Sequence, residues 1–345
     1  MKVLFVGGTG IISSACSELA IRHGIDLYLL NRGRSFRPTP EGAISIHGDI
    51  RQPVSVIAAL GNLTFDAVVE WVAFTPDQVK TDIEIFQKRT GQYIFISSAS
   101  AYQKPPGFLP ITESTPLHNP FWQYSRDKAA CEALLEDAGK AEGFPFTIVR
   151  PSHTYDRTLL PFHDGYTTVA RMRAGKPVVV HGDGTSLWTM THHRDFAVGF
   201  VGLLGNPQAL RQSIHITSDE CLSWNQIYNI TAQAAGVEPH LVHVPSDLIA
   251  RFDPEWGASL LGDKAHSMIF DNSKICKLVP QFHPTIPFRQ GAVEIIAWYD
   301  EEVSRRVVDP YFDEVQDQLI TVMKKIDLLK FNHDDLLNKT TGEKQ

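Results

Sequence analysis

Over its first 150 residues the chain alternates between short apolar runs and segments whose apolar positions recur at helical spacing. The runs at 2–6, 26–30, 43–46, 65–72, 93–97 and 146–150 predict strands, and 12–22, 53–60, 77–87 and 124–142 between them predict helices. In the first helix Ala15, Leu19 and Ala20 recur at that spacing, and Gly24 follows as a cap. A stretch such as "FDAVVEWV" is apolar almost throughout rather than alternating, the mark of a strand covered on both faces. The elements therefore predict an α/β fold built on a doubly wound parallel sheet, which binds ligands beyond the carboxyl ends of its strands. After Pro151 the alternation weakens. Segments 178–181 and 214–217 still read as strands, the rest as loops and helices, and 331–345 as a polar tail.

Composition narrows the class. Hydrophobic residues make up 43% and charged residues 21% of 345 positions, the balance of a soluble globular protein with one large or two intimately joined domains. A net charge of −7, with no dense basic stretch, speaks against nucleic acid or an acidic membrane surface as partner. The N-terminal apolar run is broken by Gly7-Gly8-Thr9-Gly10, too early for a secretory signal, and no run is long enough to span a membrane. Cys16, Cys131, Cys221 and Cys276 stand far apart with no C-x-x-C pair. That excludes zinc-ribbon and dithiol motifs and predicts reduced, mostly buried thiols in a cytoplasmic protein.

The first strand runs into "FVGGTGIIS". Glycines there let backbone N–H groups approach a pyrophosphate, and the following helix offers its positive end. Gly7 and Gly10 fit G-x-x-G-x-x-G, while Ser13 holds the third place, where glycine mainly eases helix–sheet packing; serine should shift the helix slightly without destroying the site. The second strand ends in "LLNRGRS", with no acid for a ribose 2′-hydroxyl but with Arg32 and Arg34 for a 2′-phosphate, which favours NADP over NAD. After the third strand, Asp49 is placed to accept from an adenine amino group and Ile50 to pack on the ring.

The fifth strand ends in "ISSASAY", and "YSRDK" follows, with Tyr124 and Lys128 one helical turn apart on one face. A phenol with an ordinary pKa near ~10 is a poor base at neutral pH. A nearby ammonium, helped by an oxidised nicotinamide, lowers that pKa, so Tyr124 takes a proton from a substrate hydroxyl while Ser98 hydrogen-bonds the same oxygen. Alone, Y-x-x-x-K is a weak signal. Its order after the glycine turn, the arginines, Asp49-Ile50 and the serines gives it weight.

These pieces resemble the extended short-chain dehydrogenases/reductases of the NAD-dependent epimerase/dehydratase family. The matching stretches are "GGTGIIS", "GDIR", "FDAVVEWVA", "FISSASAY", "YSRDKAACE", "IVRPSHTYD", "GDGTSLWTMTHHRDFA" and "FHPTIPFRQGAVEIIAWY", spread over about residues 1–300. The resemblance implies a Rossmann domain from 1–152 plus about 187–218 and a smaller C-terminal α/β substrate-binding domain from about 153–186 plus 219–330. It also implies a Ser98–Tyr124–Lys128 triad and a homodimer. By position it implies cofactor contacts at Gly7, Gly10, Ile11, Ile12, Asn31, Arg32, Arg34, Asp49, Ile50, Ala73, Tyr124, Lys128 and Pro151, and substrate contacts at Ser98, Ser100, His153, Trp188 and Arg194.

The departures from the family bear on substrate. Glu70 stands where histidine is common and reads as a surface or hydrogen-bonded strand-end carboxylate. His153 replaces an asparagine, and Trp188 an arginine that grips nucleotide phosphates; Arg194 or Arg289 would have to compensate. His192 and His193, as strand neighbours, should point to opposite faces, and with no acidic cluster nearby no metal is expected. The expected activity is NAD(P)-dependent oxidation, reduction or epimerisation at a hydroxyl or carbonyl of a sugar or nucleotide sugar. One alternative is an NADPH-dependent reductase of a small aldehyde, ketone or polyol. Another is a non-catalytic nucleotide- or RNA-binding relative, against which the intact triad and acidic balance stand. Dehydration is least expected, because no acid pair accompanies the triad serine.

Overall fold

The computed structural model describes residues 1–328, so the tail expected at 331–345 lies outside the described residues. The first half of the chain forms β1 (Lys2–Val6), α1 (Ile11–Arg22), β2 (Asp26–Asn31), β3 (Ile44–His47), α2 (Pro53–Leu60), β4 (Ala67–Glu70), α3 (Pro76–Phe86), β5 (Tyr93–Ile96), α4 (Gln123–Glu142) and β6 (Phe146–Pro151). With the strand Ser213–Ile216 they make a seven-stranded sheet, all pairs parallel, in the spatial order Ser213–Ile216, β6, β5, β4, β1, β2, β3. The order reverses between β1 and β4, where a doubly wound sheet opens its ligand crevice.

Side-chain alternation explains the two-sided cover. In β1, Val3 and Phe5 pack into a core shared with α1 and the helix His193–Val201, while Leu4 and Val6 pack into the core on the other face with residues of α2, α3 and α4. Both sets are buried, so the strand reads as one continuous apolar run. The expected strand 65–72 is shorter, Ala67–Glu70, because the Glu70 carboxylate takes the Val72 N–H at 2.5 Å and turns the chain out of the ladder.

Beyond β6 the structure contains more than the sequence pattern announced. Strand Pro177–His181 pairs with His240–Val244, Met190–His192 with His153–Tyr155, and Leu187–Trp188 with Leu222–Ser223. A separate core around Tyr155, Trp188, Trp224 and Phe288 joins these pieces. The strand at His192 ends where the helix His193–Val201 begins, so the two histidine rings do not diverge; their centroids lie 4.8 Å apart. His192 Nε2 lies 3.2 Å from the Glu294 carboxylate and His193 Nδ1 3.2 Å from the Ile11 carbonyl oxygen. Among the described residues no group of three or more His, Cys, Asp or Glu is placed to hold a metal ion, and no helix is long and apolar enough to cross a membrane. All four cysteines are free, with Cys16 and Cys131 buried and Cys221 and Cys276 half-buried.

Candidate active site

The turn between β1 and α1 heads a cleft of about 830 Å³. Gly7 and Gly8 both have φ of +102°, a region that side chains disfavour, and a Cβ on Gly8 would come within 2.6 Å of the Leu29 side chain. Gly10 caps α1, and the Ser13 hydroxyl accepts from the Gly10 N–H at 2.7 Å. Ser13 thus supplies one half of a capping interaction, which accounts for its place in the third glycine position. Ile11 and Ile12 line the cleft at the first turn of α1, whose N–H groups have no acceptor within the helix.

The rest of the cleft wall carries most of the cofactor residues expected from the sequence: Gly7, Gly10, Ile11, Ile12, Asn31, Arg32, Arg34, Asp49, Ile50, Tyr124, Lys128 and Pro151. The exception is Ala73. It is buried behind Lys128, which takes its carbonyl, and its neighbours Val72 and Phe74 face the cleft instead. Arg32 lies 3.9 Å from the Asp49 carboxylate with its side chain 59% exposed. Arg37, which the sequence did not single out, donates to Asp156 at 2.7 Å and Thr158 at 2.6 Å and so ties the loop after β2 to the loop after His153–Tyr155. A dinucleotide suits this donor set: a helix N-terminus for a pyrophosphate, two arginines at the mouth, and an apolar wall at Ile50.

Ser98 follows β5, and Tyr124 and Lys128 sit on the first turns of α4. Ser98 and Ser100 hydroxyls are 2.9 Å apart, and Ser125 donates to Ser100 at 2.8 Å, a chain of hydroxyls leading back into α4. Lys128 is buried; its ammonium donates to the carbonyls of Ala73 and Ile96, each at 2.7 Å, and lies 5.8 Å from the Tyr124 ring centre. Burial pulls the Lys128 pKa down to about 8, against the pull of neighbouring Cys131, Glu70 and Glu132. Burial also raises the Tyr124 phenol above its ordinary value. The opposing pull comes from the Ser98 hydroxyl, while Asp263 adds to the rise. Burial dominates the shift at Tyr124, and the Ser98 hydroxyl is the neighbour that pulls it the other way.

Behind Ser98, Tyr124 and Lys128, Glu132 of α4 and Arg150 of β6 form a buried pair. Arg150 donates to both carboxylate oxygens, at 3.0 Å and 2.5 Å, and Ser97 donates to the same carboxylate. Glu70 is also fully buried and hydrogen-bonded, not at the surface. With Asp82, which accepts from Tyr93 at 2.9 Å, it makes a carboxyl pair whose members are both pushed upward, chiefly by burial, Asp82 to about 7.

A second cavity, about 350 Å³, shares Tyr124 and Pro151 with the first cleft. Ser98, Ser100, His153 and Trp188 all line it. Arg194 does not: it is half-exposed elsewhere and bound to Glu294 at 2.5 Å, an ion pair that holds it to the helix Phe288–Glu301. Nor does Arg289 reach the cavity; it donates to Gln233. In their place the structure brings Asp263 and Lys264, from a turn far along the chain, with Trp122, Thr189, Met268 and Phe270. Asn119 connects the two sides, donating to the carbonyls of Ser100 at 2.8 Å and Gly262 at 2.6 Å. The only trace of these residues in the sequence is a polar "GDK" interrupting an apolar helix end.

The profile of the NAD dependent epimerase/dehydratase family matches residues 3–230. The chain is 24% identical over 82% of its length to 2'-dehydrokanamycin reductase of Streptomyces kanamyceticus, covering 80% of that protein. It is 26% identical over 70% of its length to chloroplast stem-loop binding protein of 41 kDa b of Arabidopsis thaliana, and 31% identical over 44% of its length to UDP-glucose 4-epimerase of Lactobacillus helveticus. It spans 65% and 51% of those two relatives. Among solved structures, epimerase Mth375 from Methanothermobacter thermautotrophicus superposes with a TM-score of 0.72 at 16% identity, covering 88% of this chain and 94% of that one. UDP-glucose 4-epimerase from Bifidobacterium longum, in complex with NAD+ and UDP, gives 0.70 at 18% identity, covering 88% and 100%.

Proposed function

Because the chain belongs to the NAD-dependent epimerase/dehydratase family of short-chain dehydrogenase/reductase enzymes, we propose that it oxidises and reduces a hydroxyl-bearing carbon of a sugar or nucleotide sugar, with Ser98, Tyr124 and Lys128 as its working side chains. The observation that carries this reading is the place of Tyr124, on the wall of both the glycine-headed cleft and the cavity beyond it. When bound in the cleft, a nicotinamide dinucleotide supplies the carbon that accepts or gives hydride. Gly7, Gly10 and the first turn of α1 would hold its pyrophosphate, and Asp49 and Ile50 its adenine.

The chain's own groups handle the proton. Tyr124 Oη takes it from the substrate hydroxyl in oxidation and returns it in reduction, Ser98 fixes the substrate oxygen, and the Lys128 ammonium stabilises the phenolate. Lys128 is buried, which keeps water from weakening its interactions. We read the cofactor as NADP, on the basis of Arg32 and Arg34 at the cleft mouth and the lack of an acid at the end of β2. In this reading 1–152 with 187–218 hold the cofactor, and 153–186 with 219–330 shape the substrate cavity. The stem-loop binding relative favours a non-catalytic reading, against which the net charge of −7 and the intact triad weigh.

The test is turnover of aldoses, uronates, nucleotide sugars and simple ketones with NADPH and NADH, alongside titration of each dinucleotide. The reading requires binding of at least one dinucleotide and turnover of at least one substrate, with NADPH preferred. It fails if neither dinucleotide binds.

A further inference from the structure

We propose that the substrate carries an anionic group, a carboxylate or a phosphate, and that Lys264 binds it. The inference rests on the reading of the cavity as the substrate site and names the class of substrate. The walls are mainly apolar, contributed by Trp122, Pro151, Trp188, Met268 and Phe270, yet two consecutive ionisable side chains, Asp263 and Lys264, reach them. They come from Leu260–Lys264, a single π-helical turn that follows the helix Pro254–Ser259. Such turns recur at functional sites, because the wider winding re-aims side chains.

The turn is held firmly. Asn119 takes the Gly262 carbonyl, and a Cβ on Gly262 would lie 2.7 Å from the Trp122 side chain, so no bulkier residue fits there. The Lys264 carbonyl accepts from Ser186 Oγ at 2.9 Å and lies 3.1 Å from His181 Nε2. The backbone that carries Lys264 is thus fixed from three sides, while its ammonium is left without a hydrogen-bond acceptor or an ion pair among the described residues. The ammonium lies 5.7 Å from the centre of the Trp122 ring.

The charge balance then points to a ligand. Asp263 already has a partner: Lys104, whose side chain is wholly buried, lies 3.2 Å from its carboxylate. His153 lines the same cavity with Nε2 buried and unpartnered, and it is neutral, because burial and the Lys264 charge hold its pKa near about 3. Asp263 and Lys264 line the cavity, and Asp263 is shared with Lys104 behind the wall, so this cluster sets two ammonium groups against one carboxylate. Burial works against the Lys264 charge too, pulling that group below an ordinary lysine. An anionic substituent on the substrate would restore the balance, with Lys264 and His153 positioned to hydrogen-bond it and Thr189 nearby on the wall.

The experiment measures binding rather than turnover, by titration calorimetry on the full chain with NADPH bound. The probes are glucose, glucuronate, glucose 6-phosphate and inorganic phosphate. A charged sugar is expected to bind about tenfold or more tightly than glucose. Lys264→Met should abolish that preference and Lys264→Arg preserve it. Glucuronate and glucose 6-phosphate separate the carboxylate from the phosphate source, and inorganic phosphate should compete only if the latter holds. Equal or undetectable binding of charged and neutral sugars to the wild type overturns the proposal without need of any variant, as does a preference that survives Lys264→Met. Loss of NADPH binding would instead sink the cofactor reading, and the probe titrations repeated without dinucleotide keep the two outcomes apart.

Discussion

Lys128 donates its ammonium to the carbonyl oxygen of Ile96 at 2.7 Å. Ile96 closes β5, and Ser98 stands two residues on, so the lysine and the serine of the proposed triad are fixed to the same strand end. The position of one therefore constrains the other, and both meet Tyr124 through α4.

This placement makes the reaction sensitive to alkali. Burial brings Lys128 to about 8, so its charge is lost as pH rises through that value. The rate of carbonyl reduction, measured as kcat/KM across pH, should fall with a midpoint near 8, and Lys128→Arg should remove that limb, since arginine stays charged. Unfolding is not the cause. The folded pKa lies below that of the unfolded chain, so between about 8 and about 10.4 the unfolded state binds more protons and this group's contribution to stability rises with pH. An unchanged limb in the arginine variant would remove Lys128 from the account.

Ser13 is expected to matter for stability rather than for cofactor. Its hydroxyl accepts from the Gly10 N–H, so Ser13→Gly should cost about 1 kcal/mol in chemical denaturation, the usual net worth of one hydrogen bond. NADPH affinity should change little, because the glycines that approach the pyrophosphate are retained. A large loss of affinity with unchanged stability would reverse this assignment.

Glu132 and Arg150 join α4 to the sheet through a pair that is almost wholly buried. Glu132→Ala leaves the guanidinium buried without its partner and should destabilise the fold by about 3–5 kcal/mol. Equilibrium denaturation measures this directly; a loss below 1 kcal/mol would mean that water or the Glu113 carbonyl, which already accepts from Arg150 at 3.1 Å, replaces the carboxylate.

The Glu70–Asp82 pair has the opposite pH signature to a salt-bridged carboxylate. Asp82 titrates near 7 in the fold, above its unfolded value, so its stabilising contribution is full at low pH and is lost as pH rises from about 4 to about 7. Asp82→Asn removes that titration. Its stability relative to wild type should increase across this range, and a constant difference from pH 4 to 8 would show that the pair is not proton-linked to folding.

Much of this was readable in the sequence because the relevant signals are local. Parallel strands covered on both faces are apolar throughout, so β1, β5 and β6 announced themselves, and the glycine turn and Tyr124–Lys128 spacing lie within single elements. The expected helix 124–142 begins one residue earlier, at Gln123. What stayed hidden depends on distant contacts. The strands His153–Tyr155 and Met190–His192 have three residues each, too short for a period, and exist because they pair with each other. Arg194 had the right sequence neighbourhood for substrate, but Glu294, a hundred residues away, draws it off. Lys264 reaches the cavity only because Asn119 and Trp122 receive the turn before it. The fate of Glu70 was open for the same reason: its burial depends on Asp82 and Tyr93, from other elements.

The central claim is that Tyr124 exchanges a proton with substrate while the dinucleotide exchanges hydride. Single-turnover reduction of the best carbonyl substrate with pre-bound NADPH tests it most directly, comparing wild type with Tyr124→Phe. The account predicts that the variant binds NADPH as wild type does and loses hydride transfer by about 10²–10⁴-fold, the usual contribution of a positioned acid or base. Hydride transfer at an undiminished rate in the phenylalanine variant would contradict it.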